Sequence, residues 1–254
     1  MADNLFNIVI PARYESTRLQ GKVLLDLAGK PMLQHVWERA TGSGTDCVVI
    51  ATDSKQVASV AEAFGAQVCM TAKDCSTGTD RVAEVCATLG WEPETVVVNV
   101  QGDAPLLPSE SIRNVAELLL EKPDASIATA CVPIKSREEY LDPNIVKVVA
   151  DKNGRALYFS RAPVPHGGHG EGDDGAWQKS LRHLGIYAYR VGALQQLKAT
   201  TPCELEKSER LEQLRALWLG MQIQVAIDEK AHGPDVDTQA DLDKVASIIA
   251  ADAG

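Results

Sequence analysis

Short, nearly continuous apolar runs recur through the first half of the chain. They are rich in β-branched residues and occupy 6–10, 47–52 and 95–100. A parallel strand that is covered by helices on both faces has this pattern, because neither of its faces meets water. The runs therefore predict three buried parallel strands.

Between these runs, apolar residues return at the i, i+3, i+4, i+7 spacing of an amphipathic helix. Helices are predicted around 33–40, 57–64 and 82–89, and a longer one runs from Ser109 to Lys122. The alternation of strands and helices predicts an α/β fold with a mostly parallel central sheet, flanking helices and right-handed crossovers. Ligands bind such sheets at the carboxyl ends of the strands.

The pattern changes after residue 125, where strands follow one another with little helix between them. These strands are predicted at 126–134, 144–151, 156–161, 185–190 and 222–227. Two helices are predicted around 211–217 and 242–249. The second half is therefore expected to be a mixed or antiparallel extension of the same sheet, and residues 1–254 form a single domain. The glycine-rich segment 166–175 is expected to be an exposed, mobile loop.

Composition narrows the class of protein. The 254 residues are 45% hydrophobic and 24% charged, which is typical of a soluble globular enzyme. A net charge of −10 argues against non-specific nucleic-acid binding. The chain lacks a membrane-spanning apolar run and a secretory signal, so no membrane partner and a cytoplasmic location are expected. Its six cysteines are scattered without a C-x-x-C pair, which predicts reduced thiols.

The loop after the first predicted strand carries an excess of positive charge. Arg13, Arg18 and Lys22 share it with only one acid, Glu15. Because the loop lies at the carboxyl edge of the sheet, the cations are expected to stay unpaired until a phosphate-bearing ligand arrives. The loop matches neither a Walker A nor a dinucleotide fingerprint, which disfavours a dehydrogenase. A solvated loop with ordinary surface cations is the alternative.

Acidic residues follow later strands. Gln101 and Asp103 end the third buried run, and Asp237 lies far downstream beside Asp235. A carboxylate at a strand end near a cationic loop suits a Mg²⁺ that also contacts phosphates. Asp103 could instead be an ordinary turn residue, and either Asp237 or Thr238 is expected to cap the last helix.

Other polar residues have weaker signals. The segment with Thr77, Gly78 and Thr79 opens a predicted helix, which Thr79 or Asp80 is expected to cap. Further downstream the candidates are Arg161, His183, Tyr187, Tyr189, Glu212 and Gln213. Chemistry alone also allows each of these to be structural, and Glu212 and Gln213 lie beside a buried apolar stripe rather than in it.

Several motifs, taken together, resemble one family. In chain order they are IPARYESTRLQGK, GKPMLQHVWERA, ATDS, STGTDR, NVQGD, ALYFSRAPVP, RHLGIYAYR, LEQLRALW and VDTQADLD. This order is similar to that of the 3-deoxy-manno-octulosonate cytidylyltransferases, also called CMP-Kdo synthetases, and covers nearly the whole chain. The first motif indicates only a sugar-activating nucleotidyltransferase, and RHLGIYAYR with LEQLR narrows the resemblance.

The resemblance implies a Rossmann-like fold of the nucleotide-diphospho-sugar transferase type. It implies a homodimer, with a nucleotide-binding half, 1–125, and a half for sugar-acid binding and dimerisation, 126–254. The implied reaction is CTP + Kdo → CMP-Kdo + pyrophosphate, with Mg²⁺ as cofactor, and it activates the sugar for lipopolysaccharide synthesis.

The resemblance also implies roles for the residues already identified. Arg13, Arg18 and Lys22 would bind the triphosphate, with Arg13, Lys22, Asp103 and Asp237 as the catalytic set and Asp103 and Asp237 as the metal ligands. Thr77, Gly78, Thr79 and Gln101 would contact CTP. Gln101, Arg161, His183, Tyr187, Glu212 and Gln213 would face the sugar acid. Two alternatives stay open: a cytidylyltransferase for a related acid, such as 8-amino-Kdo or a sialic acid, and an inactive nucleotide-binding homologue.

Overall fold

The computed structural model describes residues 6–15, 19–45, 47–75, 77–166, 175–228 and 233–252. Its strands are β1 (Phe6–Pro11), β2 (Asp26–Leu27), β3 (Lys30–Pro31), β4 (Val48–Thr52), β5 (Gln67–Met70), β6 (Val96–Asn99), β7 (Ile127–Pro133), β8 (Lys147–Ala150), β9 (Ala156–Ser160), β10 (Leu181–Arg190) and β11 (Ile223–Ile227). Its α-helices are α1 (Met32–Thr41), α2 (Lys55–Ala63), α3 (Gly78–Thr88), α4 (Ser109–Glu121), α5 (Arg137–Leu141), α6 (Val191–Ala199), α7 (Glu204–Glu209), α8 (Gln213–Trp218) and α9 (Gln239–Asp252).

One large sheet organises this part of the chain. Seven strands lie in the order β11-β7-β10-β6-β1-β4-β5, with β8 beside β10 and β9 beside β8. The pairs β1–β4, β1–β6, β4–β5 and β7–β11 are parallel. Strand β10 runs antiparallel to β6, β7 and β8, and β8 and β9 are also antiparallel. The α/β fold and its mixed extension are thus confirmed.

The two faces of the sheet explain the nearly continuous apolar runs. In β1, Ile8 and Ile10 belong to one hydrophobic cluster and Val9 belongs to the other, and all three are fully buried. Successive side chains of a strand point to opposite faces, so a strand with a core on each face needs apolar residues at every position. Since both faces are buried, polar side chains that bind ligands are expected at the ends of the strands.

Strand β10 contains an irregularity that matters for the site. Its register against β7 shifts between Leu184 and Tyr187. A β-bulge of this kind changes the direction in which the following side chains point. Residues on either side of the bulge therefore contribute to different surroundings, although they belong to one strand.

The helices of the second half are the main departure from the sequence prediction. Helices α5, α6 and α7 lie between the strands, where little helix was expected. In α6, Val191, Leu194 and Leu197 are buried at a helical spacing. Gly192 and a β-branched first residue weaken the local helix preference, so packing rather than propensity determines this element.

Other expectations concern the chain as a whole. The six cysteines all have free thiols, as predicted. Within the described ranges, no helix combines the length and apolar character that crossing a membrane requires. Of the glycine-rich segment 166–175, residues 167–174 lie outside the described residues, and so does Arg18.

Candidate active site

Loops from three distant parts of the chain meet at the carboxyl edge of the sheet. The Lys22 ammonium nitrogen donates to Asp103 Oδ2 at 2.6 Å and to Asp237 Oδ1 at 3.2 Å. It also donates to the carbonyl oxygen of Val236 at 3.1 Å. The backbone N–H of Val236 in turn donates to the carbonyl of Asp103 at 2.9 Å. The three candidate residues Lys22, Asp103 and Asp237 therefore form one cluster.

The expectation that the loop cations stay unpaired is wrong for Lys22, which contacts two carboxylates. Arg13 is also engaged, since its guanidinium donates to the carbonyl of Cys75 in the loop before α3. Sequence spacing conceals these contacts because Asp103 and Asp237 are 81 and 215 residues away from Lys22. The excess of charge in the loop is offset by acids from other loops.

Close backbone packing fixes the loop that carries Asp103. A Cβ on Gly102 would lie 2.9 Å from the carbonyl oxygen of Pro11, at the end of β1. Any side chain here would push the loop away from β1. Because β1 and β6 are neighbours, this contact holds the two strand ends, and the groups that follow them, side by side.

The acids and the lysine modify each other's protonation. Burial lowers the pKa of the Lys22 ammonium, but the Asp103 and Asp237 carboxylates outweigh it, so the pKa is raised overall. For Asp235, burial and the nearby Asp103 and Asp237 charges raise the pKa to about 6. Lys22 is therefore a fixed positive charge at neutral pH inside an acidic neighbourhood.

The donor set of the same cluster suits a metal ion. Asp103 and Asp237 converge on a single cation, the Lys22 ammonium, so their oxygens lie within reach of one ion. Carboxylate oxygens suit Mg²⁺, which usually takes one or two of them and completes its shell with water and substrate phosphates. Among the described residues no group of three or more His, Cys, Asp or Glu forms a metal cage by itself. The donor set fits a Mg²⁺ that is shared with a phosphate ligand.

Several polar side chains near this cluster cap the N-termini of two helices. Thr77, rather than the expected Thr79 or Asp80, is the N-cap of α3, and Asp80 completes a capping box with it. A threonine at this position has the extended backbone that an N-cap needs, while Asp80 already lies in the first turn. At α9, Thr238 and Asp241 cap each other at 3.3 and 2.9 Å, which leaves the Asp237 carboxylate for Lys22.

A cavity of about 230 Å³ opens beside the start of α3. It is lined by Thr77, Gly78, Thr79, Asn99, Gln101, Tyr187, Tyr189, Glu212 and Gln213. Residues that the resemblance assigned to two different substrates thus lie around one space. Gln213 is 8% exposed, and its Nε2 has no hydrogen-bond partner among the described residues.

A second cavity, of about 260 Å³, lies on the other side of Gln101. His183, Arg182, Asn144 and Asp235 contribute to its lining. Gln101 lines both cavities, and its amide nitrogen lies 3.3 Å from Asn99 Oδ1. The two spaces are therefore adjacent, and the rings of His183 and Tyr187, which line one cavity each, have centroids 5.3 Å apart.

Arg161 lies apart from the lining of both cavities. Its guanidinium donates to the backbone carbonyls of Glu209 at 2.8 Å and Pro143 at 3.0 Å. Its role towards a sugar acid stays a prediction. Sequence reasoning missed Arg182 and Asn99, although Arg182 precedes the candidate His183 in β10 and Asn99 is the last residue of β6. The candidate Tyr189 does line the smaller cavity. A polar side chain that ends a buried strand was the available signal for Asn99.

His183 is a neutral, partly buried histidine on the wall of the larger cavity. Its Nε2 lies 2.9 Å from Thr129 Oγ1, and its ring packs edge-on against Phe159 with centroids 5.0 Å apart. Burial lowers its pKa to about 3. The ring can therefore exchange hydrogen bonds with a neutral ligand group without carrying a charge.

This histidine makes stability depend on pH in a defined direction. Between its folded pKa of about 3 and the ordinary value near 6.5, the unfolded chain binds a proton that the folded chain does not. Stability is then lost as the pH falls below about 6.5, by at most about 1.4 kcal/mol per pH unit. Urea unfolding at pH 7 and pH 5 should show that His183→Gln removes about 2 kcal/mol of the wild-type pH dependence. An unchanged dependence would contradict the buried, neutral state.

Comparison with known proteins identifies the class. Residues 7–223 match the protein-family model described as "Cytidylyltransferase". A solved structure titled as CMP:2-keto-3-deoxy-manno-octonic acid synthetase complexed with CTP is 40% identical, with a TM-score of 0.89, over 97% of this chain and 98% of the other. The chain is thus a cytidylyltransferase, one class of nucleotidyltransferase.

Relatives narrow the class further. A protein of Thioalkalivibrio sulfidiphilus named 3-deoxy-manno-octulosonate cytidylyltransferase is 50% identical over 97% of this chain and 99% of its own length. One of Actinobacillus pleuropneumoniae, named 3-deoxy-manno-octulosonate cytidylyltransferase 1, is 49% identical over 96% and 99%. The chain belongs to the 3-deoxy-manno-octulosonate cytidylyltransferase family, as the motifs predicted.

Proposed function

We propose that this protein transfers the cytidylyl group of CTP to 3-deoxy-D-manno-octulosonate, giving CMP-Kdo and pyrophosphate. The observation that carries the proposal is the Lys22–Asp103–Asp237 cluster, which lies at the carboxyl edge of the sheet beside the cavities that Gln101 joins. Similarity over nearly the full length to relatives named for this reaction supports the choice of both substrates.

The cationic loop would hold the triphosphate. Arg13, Arg18 and Lys22 offer guanidinium and ammonium donors, which bind phosphate oxygens strongly and neutralise charge on the departing pyrophosphate. Thr77, Gly78 and Thr79 begin α3, where free backbone N–H groups and the helix dipole favour anions and polar rings. Thr77 uses both its hydroxyl and its backbone N–H in the capping box with Asp80, so its contribution to CTP would be packing contact rather than a hydrogen bond.

Asp103 and Asp237 would hold Mg²⁺ together with the phosphates of the bound nucleotide. When bound, such an ion supplies charge neutralisation at the reacting phosphate and favours ionisation of a coordinated hydroxyl. The protein's own part is to bring the sugar hydroxyl in line with the α-phosphorus and to keep the leaving pyrophosphate opposite it. We propose direct displacement, and trapping of a covalent nucleotidyl-enzyme would exclude it.

The sugar acid would occupy the space around Gln101. Gln101, His183, Tyr187, Glu212 and Gln213 all line one or both cavities and present donors and acceptors suited to hydroxyl groups. Arg161 is proposed for the carboxylate, and reaching it would require its guanidinium to release the carbonyls of Glu209 and Pro143. The neutral His183 ring suits an uncharged hydroxyl better than the carboxylate.

Gln213 offers a test that separates a binding role from a structural one. Gln213→Met removes a buried amide nitrogen that lacks a partner within the described structure. Stability should stay equal or rise by about 1 kcal/mol, while the KM for the sugar acid should rise about tenfold. Urea unfolding and initial rates measure the two effects. Lower stability with an unchanged KM would make Gln213 a structural residue.

Three broader features belong to the proposal. Activation of Kdo would serve lipopolysaccharide synthesis and would take place in the cytoplasm, where CTP is available. A homodimer is proposed through the second half, which exposes Leu157 and Trp218 at 58% and 61%. Large exposed apolar side chains are typical of protein interfaces. Sedimentation equilibrium of the purified protein would detect the dimer.

The decisive experiment is pyrophosphate release from the purified protein with Mg²⁺. CTP and the other nucleoside triphosphates are each paired with Kdo, 8-amino-Kdo and a sialic acid. Release only with CTP and Kdo supports the proposal. A preference for another acid would move the enzyme to the related cytidylyltransferases, and no release with any pair would leave a nucleotide-binding homologue without activity.

A further inference from the structure

The Lys22 side chain has no donor to spare. An ammonium group carries three N–H donors. All three have partners at 2.6, 3.1 and 3.2 Å, namely Asp103 Oδ2, the Val236 carbonyl and Asp237 Oδ1. The side chain is only 14% exposed, so solvent does not compete strongly for these contacts. Lys22 thus cannot bind a phosphate in this arrangement without giving up a partner.

The same contacts place the ammonium between the two acids proposed as metal ligands. Asp103 and Asp237 come from loops that a backbone hydrogen bond from Val236 to Asp103 holds together. Two carboxylates held close together in this way repel each other when no cation lies between them. Lys22 supplies that cation in the protein alone. A divalent ion that binds both carboxylates would have to take over the position of the ammonium.

We propose that the Lys22 ammonium occupies the metal site of the free enzyme as an internal cation and moves to the triphosphate when metal and nucleotide arrive together. The inference rests on the proposed function for the identity of the metal and the nucleotide. It adds an exchange of partners: the carboxylates release the ammonium and bind Mg²⁺, and the ammonium leaves the carboxylates and binds phosphate.

The exchange has a thermodynamic consequence. Metal that binds alone must displace the Lys22 ammonium, which then loses its partners. Nucleotide that binds alone must draw Lys22 away from the two acids, which then lose their cation. When both bind together, the metal replaces the ammonium at the acids and the phosphate replaces the acids at the ammonium, so neither loss occurs. Binding of one ligand therefore strengthens binding of the other, and the coupling is reciprocal. The free enzyme is expected to bind divalent ions weakly although its two carboxylates already converge.

The first test measures metal binding without nucleotide. Mn²⁺ serves as the paramagnetic probe, and free Mn²⁺ is followed by electron paramagnetic resonance in wild type, Lys22→Met and Lys30→Met. Lys30→Met is the matched control, because Lys30 pairs with Glu38 away from the site. Lys22→Met should bind Mn²⁺ at least about tenfold more tightly than the other two proteins. Equal affinity in all three would overturn the proposal.

The second test measures CTP binding in EDTA and does not need a lysine variant to fold. Asp103→Ala removes the shortest Lys22 contact, whereas Asp235→Ala removes a neighbouring carboxylate that, within the described structure, does not bond to the Lys22 nitrogen. At pH 8 both variants lose one negative charge. Asp103→Ala should bind metal-free CTP at least about fivefold more tightly than Asp235→Ala. Equal affinities of the two variants for CTP would mean that only the net charge of the site matters, and they would overturn the proposed exchange.

A negative result in these two tests can be distinguished from a failure of the proposed function. Neither one involves turnover or a sugar acid, whereas the proposed function depends on pyrophosphate release. A protein that releases pyrophosphate but shows no difference between the variants keeps its function and loses the exchange.

Discussion

Asp103→Ala is expected to lower kcat about a thousandfold while the fold stays intact. The reason is the position of the carboxylate, which contacts Lys22 at 2.6 Å and is proposed to hold the metal. Loss of the several kcal/mol by which a metal stabilises transition-state charge corresponds to a factor of this size. Steady-state rates with saturating CTP and sugar acid measure the loss.

The control for this variant is another acid removed in the same way. Asp124→Ala changes an exposed residue that lines a separate surface depression with Lys122 and Asp151. It should keep near-normal turnover. Thermal unfolding should place both variants close to wild type, because Asp103 is 26% exposed and its backbone contact with Val236 does not need the side chain. Near-normal turnover of Asp103→Ala would exclude the metal assignment.

Asp53→Ala is expected to cost about 3–5 kcal/mol of the free energy of unfolding. Arg81, in α3, is fully buried, and its guanidinium lies 3.1 Å from Asp53 Oδ2 and also donates to Thr71 Oγ1. Without Asp53, the hydrogen-bond partner that the described part of the chain leaves to this buried charge is the neutral Thr71 hydroxyl. Urea unfolding measures the cost.

An exposed ion pair provides the comparison. Glu94→Ala removes the acid beside Arg190, and Glu94 is 84% exposed. The expected loss is less than about 1 kcal/mol, because water screens such pairs. Asp53→Ala should in addition weaken CTP binding, since Arg81 fixes the helix whose first residues line the smaller cavity. A cost as small as that of Glu94→Ala would mean that Arg81 finds another partner.

Sequence reasoning succeeded where burial imposes a pattern. The strands β1, β4 and β6 were predictable because both of their faces are covered, and Asp103 was predictable because a carboxylate that ends such a strand lies at the edge where ligands bind. The buried Arg81 gave no such signal, since an arginine after an aspartate in a helix looks like a solvated pair. Its interior position depends on Asp53 and Thr71, which only the folded chain brings together.

The contacts that join the residues of the site could likewise not be predicted from the sequence. Lys22, Asp103 and Asp237 were each identified, but their mutual contacts depend on how the segment before α9 returns to the sheet, and local patterns do not encode that path. The same limit applies to Gln213. Its position beside an apolar stripe suggested an exposed helix face, yet the packing of α8 buries it against the smaller cavity.

Because of the register shift in β10, the number of residues in that strand determines which of its side chains line each cavity. Arg182 and His183 precede the register shift and line the larger cavity, whereas Tyr187 and Tyr189 follow it and line the smaller one. Side chains alternate between the faces of a strand, so the loss or gain of a single residue between Leu184 and Tyr187 would turn one of these groups to the opposite face. Natural variation in this enzyme should therefore exchange side chains in β10 far more readily than it changes the number of residues there.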